Sequence, residues 1–201
     1  FLEFPLVRDD IKVKDVAWFG MIDEEIGYIR LTRFSKNSAG ETKEALLSLM
    51  KQNPQGIILD LRDNPGGLLQ SSIGILDMLI PKGELLLSTK GRIKKSNRKF
   101  MSQKDPIVSE HIKIAVLINN GSASASEIIS GVIQDLDRGI VIGNKSFGKG
   151  LVQSVYGIDK NRSLKVTTAK YYIPSGRLIQ KPDYLNEKVV KNEIGRASLR
   201  E

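Results

Sequence analysis

Two segments of the chain repeat one pattern: a short apolar run, a loop of small residues, then a stretch with helical apolar spacing. "GIILDLRDNPGGLL" starts at residue 56 and "HIKIAVLINNGSASASEII" at residue 111. The apolar runs are too short for buried helices and too uniformly apolar for half-exposed strands, so they read as strands covered on both faces. A strand of that kind followed by a helix is the unit of a parallel sheet. The pattern predicts an α/β domain with a mostly parallel central sheet.

The other elements fit this rhythm. "GYIRLTRF" (27–34) is strand-like, and "SAGETKEALLSLMKQN" predicts a helix with Ser38 as N-cap and Leu46, Leu47 and Met50 on one face. "LLQSSIGILDMLI" predicts a helix ended by Pro81 and Gly83. "ELLLST" is a strand, and the basic stretch after it is a second strand or edge loop. "ASEIISGVIQDLD" is a helix, "GIVIG" a strand, and "LVQSVYGI" with "SLKVTTAKYYI" a C-terminal hairpin turning at "DKN".

With 201 residues and 40% hydrophobic content the chain can bury a real core. It has no cysteine, which excludes disulfides, thiolate metal sites and a cysteine nucleophile. No stretch approaches 18 uninterrupted apolar residues, and no basic region precedes the first residues, so neither a span nor a signal peptide is visible. The start at Phe1 suggests an excised piece. The net charge of +8 is concentrated in "KGRIKKSNRK" (90–99), which could neutralise phosphates. That run lacks interleaved aromatics, and a hairpin edge guarded by lysines has the same composition. No nucleic-acid partner is expected.

Both small-residue loops follow buried strands and open helices. In open α/β sheets such junctions gather ligands, because helix N-termini offer unpaired N–H groups and a positive dipole end. Either loop is suited to hold one negative oxygen, the requirement of an oxyanion hole. "NNGSASASE" also offers a hydroxyl nucleophile in Ser122, Ser124 or Ser126. The sole histidine, His111, begins the strand whose far end carries these serines, so a Ser-His-Asp triad is poorly supported. A serine nucleophile then needs a lysine base.

Lysine acts as a base only when neutral. Its ordinary pKa of about 10.4 must approach about 7.5, a difference of about 4 kcal/mol, which burial away from carboxylates can supply. In "SFGKGLVQSV", Lys149 lies between glycines and leads into an apolar strand, and Gln153 stands four residues on, in a strand the same face. An amide there orients an amine without adding charge. Bland alternatives stand beside these readings. Ser124 with Glu127 matches a capping box. Ser122 and Ser126 suit packing or capping, and Lys149 suits a surface turn. Ser146 and Lys149 spell S-x-x-K, which needs a helix that "SFGKG" does not favour.

The motifs "GYIRLTRF", "GIILDLRDNPGGLL", "NNGSASASEIISGVIQD", "GNKSFGKGLVQ" and "KVTTAKYYIPSGRLIQ" resemble, in order and spacing, those of the C-terminal processing peptidases, also called tail-specific proteases. The resemblance covers about residues 27 to 180. It implies a core related to the crotonase and caseinolytic-protease group, built of repeated ββα units. It implies Ser124 as nucleophile, Lys149 as base and Gln153 as its orienting amide, with oxyanion donors at the backbone N–H of Gly67 and Ala125. An aspartate often stands in the family where this chain has Asp135, which otherwise reads as a solvated charge at a helix end.

The resemblance further implies no metal or organic cofactor, polypeptide substrates, and an extracytoplasmic setting in the bacterial periplasm or envelope. It leaves an oligomer open. Family members usually carry a PDZ domain ahead of the protease core. Residues 1–20 resemble that domain's last strand and exit linker, 21–182 the protease core, and 183–201 a charged, helical tail or truncated insertion. Two other functions share parts of this pattern: a crotonase-like acyl-thioester enzyme, which needs no serine nucleophile, and a peptide-binding scaffold without turnover.

Overall fold

The computed structural model describes residues 13–181 together with residues 2, 4 and 5. The tail expected over 183–201 lies outside the described residues. Five strands form the main sheet: β1 (Val16–Met21), β2 (Ile26–Leu31), β3 (Gly56–Asp60), β6 (Lys113–Ile118) and β7 (Ile140–Gly143), in the order β1-β2-β3-β6-β7. β1 pairs antiparallel with β2, and all later neighbours are parallel. β1 runs across the boundary expected at residue 20. The crossovers contain α1 (Ser38–Met50), α2 (Leu69–Leu76) and α3 (Ala125–Asp135). The connection from α2 to β6 also carries a hairpin, β4 (Leu85–Lys90) and β5 (Arg98–Met101), joined by a 3₁₀ turn at Lys94–Ser96.

The α/β class, the mostly parallel central sheet and the C-terminal hairpin, β8 (Leu151–Gly157) with β9 (Ser163–Tyr172), are all present. That hairpin joins the first one. β4 pairs with β9, giving a second, wholly antiparallel sheet of order β5-β4-β9-β8.

The core lies between the main sheet and the three helices. Ile29, Leu31, Ile57, Leu59, Ile114 and Val116 point inward from the sheet, and Leu46, Leu49, Ile75, Ile128 and Ile129 meet them. The opposite face of the sheet is more open. Ile58 is only partly buried, so β3 is not enclosed equally on both sides as its composition suggests. α2 is also shorter than expected: the chain leaves the helix after Leu76 and turns before Pro81.

α1 departs from expectation in two details. Its buried stripe is Thr42, Ala45, Leu46 and Leu49, and Leu47 is exposed, because residues one apart on a helix face different directions. Its N-cap is Asn37, not Ser38. The Ser38 hydroxyl is drawn instead to the buried Asp15 carboxylate at 2.6 Å.

Candidate active site

The two small-residue junctions lie at the carboxyl ends of adjacent parallel strands, β3 and β6, and buried polar groups lace them together. Asn64 Nδ2 donates to the Leu31 carbonyl at 2.8 Å, and Asn64 Oδ1 accepts the Gly66 N–H at 2.9 Å. The Asn64 carbonyl accepts from the Ala123 N–H at 3.0 Å and from Ser126 Oγ at 2.9 Å. Ser122 Oγ donates to the Leu61 carbonyl at 2.7 Å. Both serines are fully buried, and their hydroxyls are spent on loop backbone. Of the three serines, Ser124 is left as the candidate nucleophile.

Ser124 caps α3 with φ +54° and ψ −108°. A left-handed backbone at a residue with a Cβ costs on the order of 1–3 kcal/mol and persists only when its surroundings enforce it. Two neighbours do so. The Ser124 N–H donates to Glu127 Oε2 at 2.7 Å. Gly66, at φ +89°, presses against the same turn: a Cβ there would lie 2.5 Å from the Ala123 carbonyl oxygen and 2.8 Å from Ser124 Cβ. Only glycine fits.

That contact also sets the backbone donors. A Cβ on Gly66 would stand 2.8 Å from the Ala125 nitrogen, so the "NPGG" turn and the start of α3 touch. Gly67 is held beside Phe34, whose N–H donates to the Gly66 carbonyl at 3.1 Å and whose carbonyl accepts the Leu68 N–H at 2.7 Å. Among the described residues, neither the Gly67 nor the Ala125 N–H has a protein acceptor. The positive end of α3 lies at the same place.

Glu127 links this turn to the lysine loop. Its carboxylate is fully buried. Oε2 accepts the N–H of Ser124 and that of Lys149, the latter at 2.8 Å; Oε1 accepts Ser146 Oγ at 2.7 Å and the Gly148 N–H at 2.5 Å. Further bonds fix the loop from both sides. The Phe147 N–H donates to the Ser122 carbonyl at 3.0 Å, the Gly150 N–H to Gln180 Oε1 at 3.0 Å, and the Lys181 N–H to the Gly148 carbonyl at 3.0 Å. The segment around Ser146 and Lys149 is not helical, which removes the S-x-x-K alternative.

The remaining candidates are dispersed. Gln153 is exposed on β8, just beyond a bulge between Val152 and Gln153, and Lys149 precedes that strand. Asp135 is not a solvated charge: its side chain is 4% exposed, forms an ion pair with Arg177, and accepts the Ser175 N–H at 2.9 Å. His111 is exposed before the amino end of β6, paired with Ser109 at 2.9 Å and remote from Ser124 along the strand. Among the described residues, no group of three His, Asp or Glu could hold a metal ion.

Sequence reasoning did not find the bridging role of Glu127 or the contact made by Gly66. Glu127 was visible only as the partner in a capping box, and its bonds to 146–149 arise from tertiary packing. The doubled glycine was the available signal for Gly66.

On the other face of the sheet, beneath the first junction, Asp60 accepts from Tyr28 Oη at 2.5 Å, from Arg30 at 2.7 Å and from Arg62 at 2.6 Å. Burial raises its pKa, but the bonds from Arg62 and Tyr28 and the charge of Arg30 outweigh that and bring it to about 2.

Comparison with known proteins places the chain in a family. A model of peptidase family S41 matches residues 25–186. A carboxy-terminal-processing protease of Bartonella bacilliformis is 42% identical over 183 residues, covering 89% of this chain and 41% of the relative. A chloroplastic C-terminal processing peptidase of Tetradesmus obliquus is 34% identical over 162 residues, covering 81% of this chain and 34% of the relative. Among solved structures, the photosystem II D1 C-terminal processing protease superposes with a TM-score of 0.74 at 30% identity, covering 86% of this chain and 47% of that one. The chain spans less than half the length of these relatives. With most of its length matched in sequence and in fold, the chain belongs to peptidase family S41.

Proposed function

We propose that the chain is the catalytic core of a serine endopeptidase that cleaves unfolded or C-terminal segments of other proteins with a Ser124–Lys149 dyad. The observation that carries this is the buried Glu127 carboxylate. It fixes the backbone of both residues on one oxygen, beside two N–H groups that have no acceptor among the described residues. Lys149 takes the Ser124 hydroxyl proton as Oγ bonds to the scissile carbonyl carbon, and the role of Gln153 as its orienting amide rests on the family resemblance alone. The Gly67 and Ala125 N–H groups hold the resulting oxyanion. Collapse breaks the C–N bond, and Lys149 returns the proton to the leaving amine. Water, deprotonated by the same lysine, then hydrolyses the acyl-enzyme.

The substrate backbone is supplied as an extended strand. Among the described residues β8 is the outer strand of its sheet and starts two residues after Lys149, so its edge offers ladder bonds next to the candidate base. An extracytoplasmic setting, periplasm or envelope, accompanies this reading on the family resemblance. Among the described residues, no helix is long and apolar enough to cross a membrane.

The test is cleavage of an unstructured polypeptide by the parent, Ser124→Ala and Lys149→Ala chains, followed by mass spectrometry from pH 6 to 10. Both variants should lose more than about 10³-fold in rate. Cleavage that persists in Ser124→Ala would show that the nucleophile lies elsewhere.

A further inference from the structure

The basic stretch 90–99 has no part in the dyad, yet it closes one side of a cavity beside it. A cavity of about 350 Å³ opens on one face of the second sheet. Leu69 and Gln70, in the first turn of α2, form one wall. Alternate residues of β8, among them Val152 and Ser154, form another. The 3₁₀ turn and β5 close it with Lys95 and Arg98. Along the chain, Leu69 is two residues from Gly67 and Val152 three from Lys149. Both walls therefore begin within about 11 Å of chain from the candidate oxyanion donor and the candidate base.

The chemistry of this lining is one-sided. Phe100, Val152 and Leu69 give it apolar surface, Lys95 and Arg98 give it two cations, and among the described residues none that lines it is acidic. The whole of "KGRIKKSNRK" carries six cations and no carboxylate. The turn is held in place by its own bonds: Thr89 Oγ1 donates to the Ser96 carbonyl at 2.7 Å, and the Gly91 N–H donates to Asn97 Oδ1 at 2.9 Å. Two like charges at the rim of a concave apolar surface focus a positive field that favours an anionic occupant. Arginine in particular matches a carboxylate with paired N–H donors.

We propose that this cavity is a specificity subsite for the substrate of the peptidase reading, and that it selects a polypeptide carrying a carboxylate next to apolar residues. The proposal rests on that reading for its occupant. The carboxylate is either the free C-terminus of the substrate or an Asp or Glu side chain. Both present the same charge and geometry to Lys95 and Arg98.

The experiment is binding to the 201-residue chain carrying Ser124→Ala, which prevents turnover, measured by fluorescence anisotropy with labelled unstructured peptides. One peptide pair differs only in a free or amidated C-terminus, the other only in an internal Glu or Gln. The acidic member of at least one pair should bind roughly tenfold tighter, and the responding pair identifies the source of the carboxylate. Lys95→Glu and Arg98→Glu are surface changes that leave the core intact; each should abolish or reverse the preference. Equal binding within both pairs, a preference that survives both reversals, or no binding of any peptide overturns the proposal. So does displacement of peptide by single-stranded DNA with a steep salt dependence, which would assign the basic turn to nucleic acid. The two readings fail separately. Cleavage without a carboxylate preference removes the subsite and leaves the dyad; a carboxylate preference in a chain that still cleaves with Ser124→Ala removes the dyad and leaves the subsite.

Discussion

At the scale of single residues the site depends on Glu127. A buried carboxylate is costly unless its oxygens are hydrogen-bonded, and here four donors from two separate segments meet it. Glu127→Gln keeps the shape but turns one oxygen into an NH₂ group that faces donors. At least one N–H or O–H then loses its acceptor, at a cost of about 1–3 kcal/mol. The released loop also moves Lys149 relative to Ser124, and misplacement of about 1 Å costs on the order of 10²-fold in rate. The expected outcome is a folded variant with lowered denaturation midpoint, kcat reduced far more than KM is raised, and no recovery at higher pH. Denaturant unfolding and steady-state cleavage check it. A variant that loses stability while keeping kcat would make Glu127 a structural staple only.

At the scale of elements, α3 is fixed at both ends: by Glu127 at its start, and by Asp135 with Arg177 in its last turn. A carboxylate near a helix C-terminus opposes the helix dipole, so its burial there depends on the arginine. Asp135→Ala removes the buried carboxylate that pairs with Arg177. Because Arg177 keeps some exposure, the loss should be about 2 kcal/mol or more, below that of a fully buried pair. Adding Arg177→Met should cost less than the two single changes together, as a double-mutant cycle by urea denaturation would show; strict additivity would mean that the pair is not coupled.

These ends show what sequence reveals at this scale. Strands β2, β3, β6 and β7 of the main sheet and the helix α3 were legible because apolar runs and small-residue loops follow from local pattern, whereas β1 was not, its residues having been read largely as an exit strand and linker. Ser124 was one of three candidate serines in its loop and Lys149 was marked by flanking glycines, and the family resemblance singled out the pair. The junction of the two hairpins through β4 and β9 was not legible, since it pairs residues about 80 positions apart in the chain and leaves no local mark. Nor was the capture of Ser38 by Asp15, which took the apparent helix cap for a tertiary bond.

At the scale of the whole molecule, the helices cover one face of the main sheet and the other is comparatively open. It carries the partly buried Tyr28 and Arg30 around Asp60, and the partly exposed Ile26, Ile58 and Ile140 line a cavity of about 630 Å³. The polar cluster makes global stability depend on pH. Asp60 has a folded pKa of about 2 against an ordinary value of 3.8, so the unfolded chain binds its proton first as the medium is acidified. The stabilisation is therefore complete above about pH 5 and is lost as pH falls through 4 toward 2, by about 2 kcal/mol in all. Asp15, also held below its ordinary value because bonds from Ser35, Ser38 and Arg33 outweigh its burial, acts in the same direction. A comparison with Asp60→Asn isolates the first contribution. The variant should be less stable than the parent at pH 7, and the gap in unfolding free energy should narrow steadily below pH 4 in urea titrations. A gap that stays constant from pH 7 to 3 would mean that Asp60 contributes packing and shape to the sheet and nothing through its charge.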